Sequence, residues 1–142
     1  MYAKRHNSMT NDDQKRPPQH MIKYCGVMAR ILAWAGIAII FILSVVPAVD
    51  RPVTGAGQRF EHFAAFALVA GFFAIGYPLS LIRLLLLAFF YCSGIELLQL
   101  PLPTRHARVS DFVVDLVAAW FAIGLVAGVD KVIGAFRYSS QK

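Results

Sequence analysis

The side chains able to do chemistry gather in one stretch, SGIELLQLPLPTRHARVSDFVVD, from Ser93 to Asp115. Ser93, Glu96, Gln99, Arg105, Asp111 and Asp115 lie inside it, and Glu61 and His62 precede it. Glu96 and Gln99 are three residues apart and Asp111 and Asp115 four, so on helices each pair shares one face. Carboxylates beside an imidazole can hold a divalent cation or move a proton. A guanidinium among them can grip an anionic group through its fork of N–H donors. Carboxylates one turn apart also repel unless a proton, a cation or a helix N-terminus compensates. Arg105, in the loop between the two pairs, is the natural counter-charge.

Each residue also has a plainer role open to it. Ser110 and Asp111 both suit a helix N-cap. Glu96 and Arg105 could form an ion pair that only locks the loop. Glu61 and His62 could sit at an interface, and His106 could be an ordinary loop residue. Gln99 could satisfy a backbone group across helices, and Ser93 could bond its own helix backbone. Arg59 and Arg108 are placed to meet lipid headgroups, while Phe60, Phe63 and Phe66 suit packing or lipid contact. Glu96 resists a bland reading most, because a carboxylate one turn inside an apolar run is costly unless paired.

The elements that must carry these groups are apolar. Of 142 residues, 58% are hydrophobic and 15% charged, and mean hydropathy is +0.58; a soluble domain is nearer half apolar and a quarter charged. Four runs approach the roughly 20 residues that cross a hydrocarbon core of about 30 Å: residues 27–46, 61–81, 84–100 and 111–129. The expected fold is all-α, a membrane protein with four transmembrane helices in an up-down bundle. A polar tail is expected over residues 1–26, where Pro17 and Pro18 oppose a helix, and another over residues 130–142. The first run is long for the core of a cleaved signal peptide, and Val46-Pro47-Ala48 is a poor cleavage site. A short turn from Pro78 to Arg83 brings the third run back antiparallel to the second. Ala64, Ala65, Ala67, Ala70, Gly71, Ala74 and Gly76 give the second run a surface that another helix backbone can approach closely. Gly124 and Gly128 form a GxxxG step, expected to serve internal packing, with an oligomer as the alternative.

All Lys and Arg except Arg51, Arg59, Arg105 and Arg108 fall on the side of the two termini. The positive-inside rule then puts both termini in the cytoplasm and turns the 93–115 stretch outward. A multi-pass membrane protein fits this pattern. The net charge of +6 is spread between apolar runs without a groove-lining patch, so no nucleic-acid partner is expected. Cys25 and Cys92 should lie at different depths, and their spacing excludes a CxxC site.

Three kinds of function suit such a chain. It could bind a lipid headgroup in an outward polar cleft, with Arg105 and His62 on an anionic group. It could act on a lipid phosphate, with Glu96, Asp111, Asp115 and His62 holding a metal or serving as acid and base. It could pack structurally against another membrane protein. No HExxH, glycine-rich phosphate loop or nucleophile signature is present, so catalysis is the weaker expectation and no cofactor is expected. Transport needs a path that polar groups at one end do not provide.

The motifs resemble those of the VanZ-like family of bacterial membrane proteins. They are His62-Phe63 opening the second run, Ser93-Gly94-Ile95-Glu96-Leu97-Leu98-Gln99 ending the third, and Arg105 followed six residues later by Asp111. The likeness covers roughly residues 43–128. The resemblance implies a cell-envelope protein; the family takes its name from a member associated with low-level teicoplanin resistance. Asp115 stands where the family usually has Asn, and Ala119 where it has Gly. The extra charge should alter ligand preference, and the lost Gly should loosen the closest helix contact.

Overall fold

The computed structural model describes residues 19–47, 55, 57–101 and 109–139. Among them run α1 (Gln19–Val45), α2 (Gln58–Gly76), α3 (Leu81–Gln99) and α4 (Val109–Ser139). All four are long and apolar enough to cross a membrane, with mean hydropathy from 1.3 in α2 to 2.3 in α4. Arg105, with His106 and Arg108, lies outside the described residues, as do residues 1–18 of the expected tail.

The helix ends differ from expectation for local reasons. α1 takes in residues 19–26, assigned above to a polar tail. That segment follows directly on Pro17 and Pro18 in sequence and contains no proline, and proline is tolerated at a first turn. α2 opens at Gln58 because Gly57 adopts φ 85°, a conformation glycine takes readily, and its carbonyl accepts from the Phe60 and Glu61 amides at 3.1 and 3.2 Å. It stops at Gly76, short of residue 81: Pro78 disfavours helix at the preceding residue, and Tyr77 is extended at φ −125° and ψ 122°. α3 begins at Leu81, with the Leu84 amide on the Ser80 carbonyl at 3.1 Å. α4 continues through residues 130–139, read above as a tail. Asp130 and Lys131 mark a rise in polarity, but no proline follows to end the helix.

Small residues set the helix contacts. Where α1 crosses α2, Ala29 and Ala33 are buried. A Cβ at Gly76 would lie 2.9 Å from Arg30 Cγ and 3.1 Å from the Arg30 backbone nitrogen, and one at Gly36 would overlap Val69. Arg30 meets Gly76 while the later Gly36 meets the earlier Val69, so α1 and α2 run antiparallel. α2 and α4 run parallel, with His62 beside Asp115 and Gly71 facing Ala122. α3 meets α4 in the opposite sense: Trp120 Nε1 donates to the Leu85 carbonyl at 3.2 Å, and Phe89 packs on Phe112 with ring centroids 6.0 Å apart.

α2 packs chiefly on α4 and α1, whereas α3 packs on α4 and more lightly on α1. The short turn reverses the chain without making α2 and α3 close partners. The Ala119 substitution noted above sits well within this packing: it is buried at 2% exposure, clustered with Ala70, Ala122 and Ile123. The GxxxG expectation is corrected. Gly124 and Gly128 are exposed, nothing lies within 4 Å of a Cβ at either, and Ala118, Ala119 and Ala122 form the inner seam instead.

Candidate functional site

The parallel course of α2 and α4 fixes the site. Both helices begin at the same end, so residues one or two turns in come to the same depth. His62 Nδ1 lies 3.2 Å from Asp115 Oδ1, with the two side chains 17% and 5% exposed. An ionised carboxylate only accepts, so toward it Nδ1 donates and the ring is oriented by Asp115. The ring also stacks on Phe66, one turn further along α2, at 6.5 Å between centroids and 22° between planes. His62 Nε2 is shielded from solvent and has no hydrogen-bond partner among the described residues. A neutral imidazole so oriented presents a lone pair at Nε2; an imidazolium presents a proton.

α3 runs antiparallel to α4 and packs on it. Cys92, Glu96 and Gln99 are spaced i, i+4, i+7 and therefore lie on one face. Cys92 and Gln99 are buried at 2% and 8% exposure. Glu96 is half-buried, its Oε1 is shielded from solvent, and the residue has an interaction partner of its own. Asp115 is near enough to Cys92 and Tyr91 to act on both electrostatically. Of the expected cluster, His62 and Asp115 are brought together by α2 and α4.

The remaining sites are placed less deeply. Glu61 lies in the first turn of α2 and Asp111 in the first turn of α4, both half-buried, where a negative charge meets the favourable end of the helix dipole. Ser110 Oγ donates to Asp111 Oδ1 at 3.1 Å. The capping role weighed for Ser110 and Asp111 is corrected: the helix already starts at Val109, so both residues are inside it. Ser93 is half-buried on α3. The pairings expected of Arg105 fall outside the described residues.

Sequence reading missed two contributors. Tyr91 donates its hydroxyl to the Ile37 carbonyl at 3.1 Å, tying α3 to α1, and Cys92 is buried one turn before Glu96. The i, i+4, i+7 spacing from Cys92 through Gln99 was the available signal. Among the described residues no three His, Cys, Asp or Glu side chains group so as to hold a metal ion. The arrangement can orient an imidazole, accept hydrogen bonds at carboxylates and exclude water.

These features define a helical multi-pass membrane protein with a polar cluster near one end of its bundle. No protein-family model, curated protein or solved structure matches the chain.

Proposed function

We propose that the chain is a VanZ-like protein of the bacterial cytoplasmic membrane. In this reading its helices alternate up and down, both termini are cytoplasmic, and an outward polar cleft binds the headgroup of an amphiphile. The ligand is a lipid, a lipid-linked envelope precursor or a lipoglycopeptide of the teicoplanin type. The observation that carries the reading is the buried contact between His62 and Asp115. Polar groups deep in apolar helices are costly, and function is the usual reason they persist. Glu96 and Gln99 on the facing helix add acceptors and an amide, and the motifs quoted above supply the family likeness.

The test uses the full chain in nanodiscs, with teicoplanin and a polyprenyl phosphate as probes. His62→Ala should weaken binding of at least one probe about tenfold, the worth of one charge-assisted hydrogen bond. Equal binding by wild type and His62→Ala, at equal insertion, rejects the cleft.

A second reading draws on the orientation of His62. An imidazole aligned by a carboxylate is the arrangement of a general base, and a lipid phosphate would be its substrate. Release of phosphate or prenol from the polyprenyl phosphate, abolished in His62→Ala, would select that reading over simple binding.

A further inference from the structure

A second feature lies away from the polar cluster. Between α1, α2 and α3, floored by α4, is a cavity of about 240 Å³. Its walls include Trp34, Phe66, Phe73, Leu87, Ala88 and Tyr91, and no charged residue lines it. Apolar cavities of about 150 Å³ stay dry and take up hydrocarbon in water-soluble proteins. This one borders the bilayer: Trp34 on α1 is 56% exposed and Leu87 on α3 is 48% exposed, on the two sides of a lightly packed seam. From Leu84 to Cys92 it follows α3 for roughly 12 Å at 1.5 Å per residue.

The rim at one end is cationic. Arg30 stands one turn before Trp34 on α1, and Arg83 one turn before Leu87 on α3. Arg30 Nε donates to the Gly76 carbonyl at 2.7 Å, and its guanidinium carbon sits 4.9 Å from the centre of the Tyr77 ring. Trp34 Nε1 donates to Tyr77 Oη at 2.8 Å, so ring and cation are held beside the cavity wall. Neither arginine is paired with a carboxylate among the described residues. Both are exposed.

We infer that the α1–α3 seam is a binding site for an anionic glycerophospholipid, its phosphate on Arg30 and Arg83 and one acyl chain in the cavity. Charge selects the headgroup, and the uncharged, laterally open wall selects a hydrocarbon tail. His62, Glu96 and Asp115 do not line this cavity, which meets the His62 cluster through Phe66.

The test uses the full chain in nanodiscs, with phosphatidylglycerol carrying an acyl diazirine and the phosphatidylcholine bearing the same chain. Photolabelling of peptides containing Trp34 and Leu87 should favour phosphatidylglycerol, and each arginine-to-glutamine change should cut that preference about fivefold. Arg30→Lys should preserve it, since charge and not the Gly76 bond holds the phosphate. Ala88→Trp should fill the cavity and remove label from those peptides, while His62→Ala should leave the ratio unchanged. Should Arg30→Gln fail to insert, Arg83→Gln and Ala88→Trp decide. Equal labelling by the two lipids in wild type, a preference that survives Arg83→Gln, or label on Trp34 and Leu87 undiminished by Ala88→Trp overturns the inference.

Discussion

His62 and Asp115 meet at 3.2 Å because α2 and α4 run parallel from the same end of the bundle. Fifty-three residues separate them in the chain, so the contact is a tertiary one that no local motif could specify. Phe66 stacks on the imidazole and the Asp115 side chain is 5% exposed, which leaves little water to substitute for either partner.

Removing one member should therefore weaken the bundle, though modestly. In a membrane, polar contacts between helices are worth about 0.6 kcal/mol on average and up to about 1.7. Asp115→Ala and His62→Ala should each cost about 1 kcal/mol, and the double variant less than the sum. A thermodynamic cycle measured by reversible unfolding in detergent checks this; strict additivity would show that the two side chains are not coupled.

The α1–α2 crossing gives a sharper steric contrast. A methyl at Gly76 would press on the backbone nitrogen of Arg30, which no rotamer change can move. Gly76→Ala should cost about 1–3 kcal/mol, the usual penalty for overpacking. Gly124→Ala and Gly128→Ala meet nothing within 4 Å and should stay within about 0.5 kcal/mol of wild type. Comparing the three by thermal unfolding isolates the contact. A destabilised Gly128→Ala with an unaffected Gly76→Ala would mean that the outer GxxxG step holds helices together in an assembly.

How far the sequence reaches can be judged from particular residues. The four spans were legible because apolar length is a one-dimensional property, and the shared face of Glu96 and Gln99 follows from helical spacing alone. The partner of His62 was not legible: periodicity describes one helix at a time, and the parallel pairing of α2 with α4 emerges only from packing. Polarity does not mark where a helix ends, as residues 130–139 show by continuing α4. A helix leaves the hydrocarbon when its side chains become polar, but it ends only when the backbone is interrupted. The GxxxG step misled for a related reason, since Gly124 and Gly128 face outward while alanines make the inner seam.

Thiol accessibility tests the proposed topology. Cys25 is exposed near the start of α1 and Cys92 is buried. With termini in the cytoplasm, a membrane-impermeant maleimide should spare Cys25 in intact cells and label it after permeabilisation. Gln58→Cys, at the exposed start of α2, should be labelled in intact cells in a Cys25→Ser background. Cys92 should react only after denaturation. Labelling of Cys25 from outside would invert the bundle and turn the polar cluster toward the cytoplasm.

Asp115→Asn separates the charge of the site from its hydrogen bond. The amide oxygen can still accept from His62 Nδ1, so the interhelical contact and the fold should survive, with stability within about 0.6 kcal/mol of wild type. The negative charge beside the cleft is lost. If the cleft receives an anionic headgroup, relief of that repulsion should raise affinity for the polyprenyl phosphate about fivefold, the equivalent of one charge near a membrane surface. A ligand held through a cationic group would instead bind more weakly by a similar factor. Titration of both forms in nanodiscs reads the sign directly. Unchanged affinity at unchanged stability would confine Asp115 to joining α2 and α4 and remove it from the ligand site.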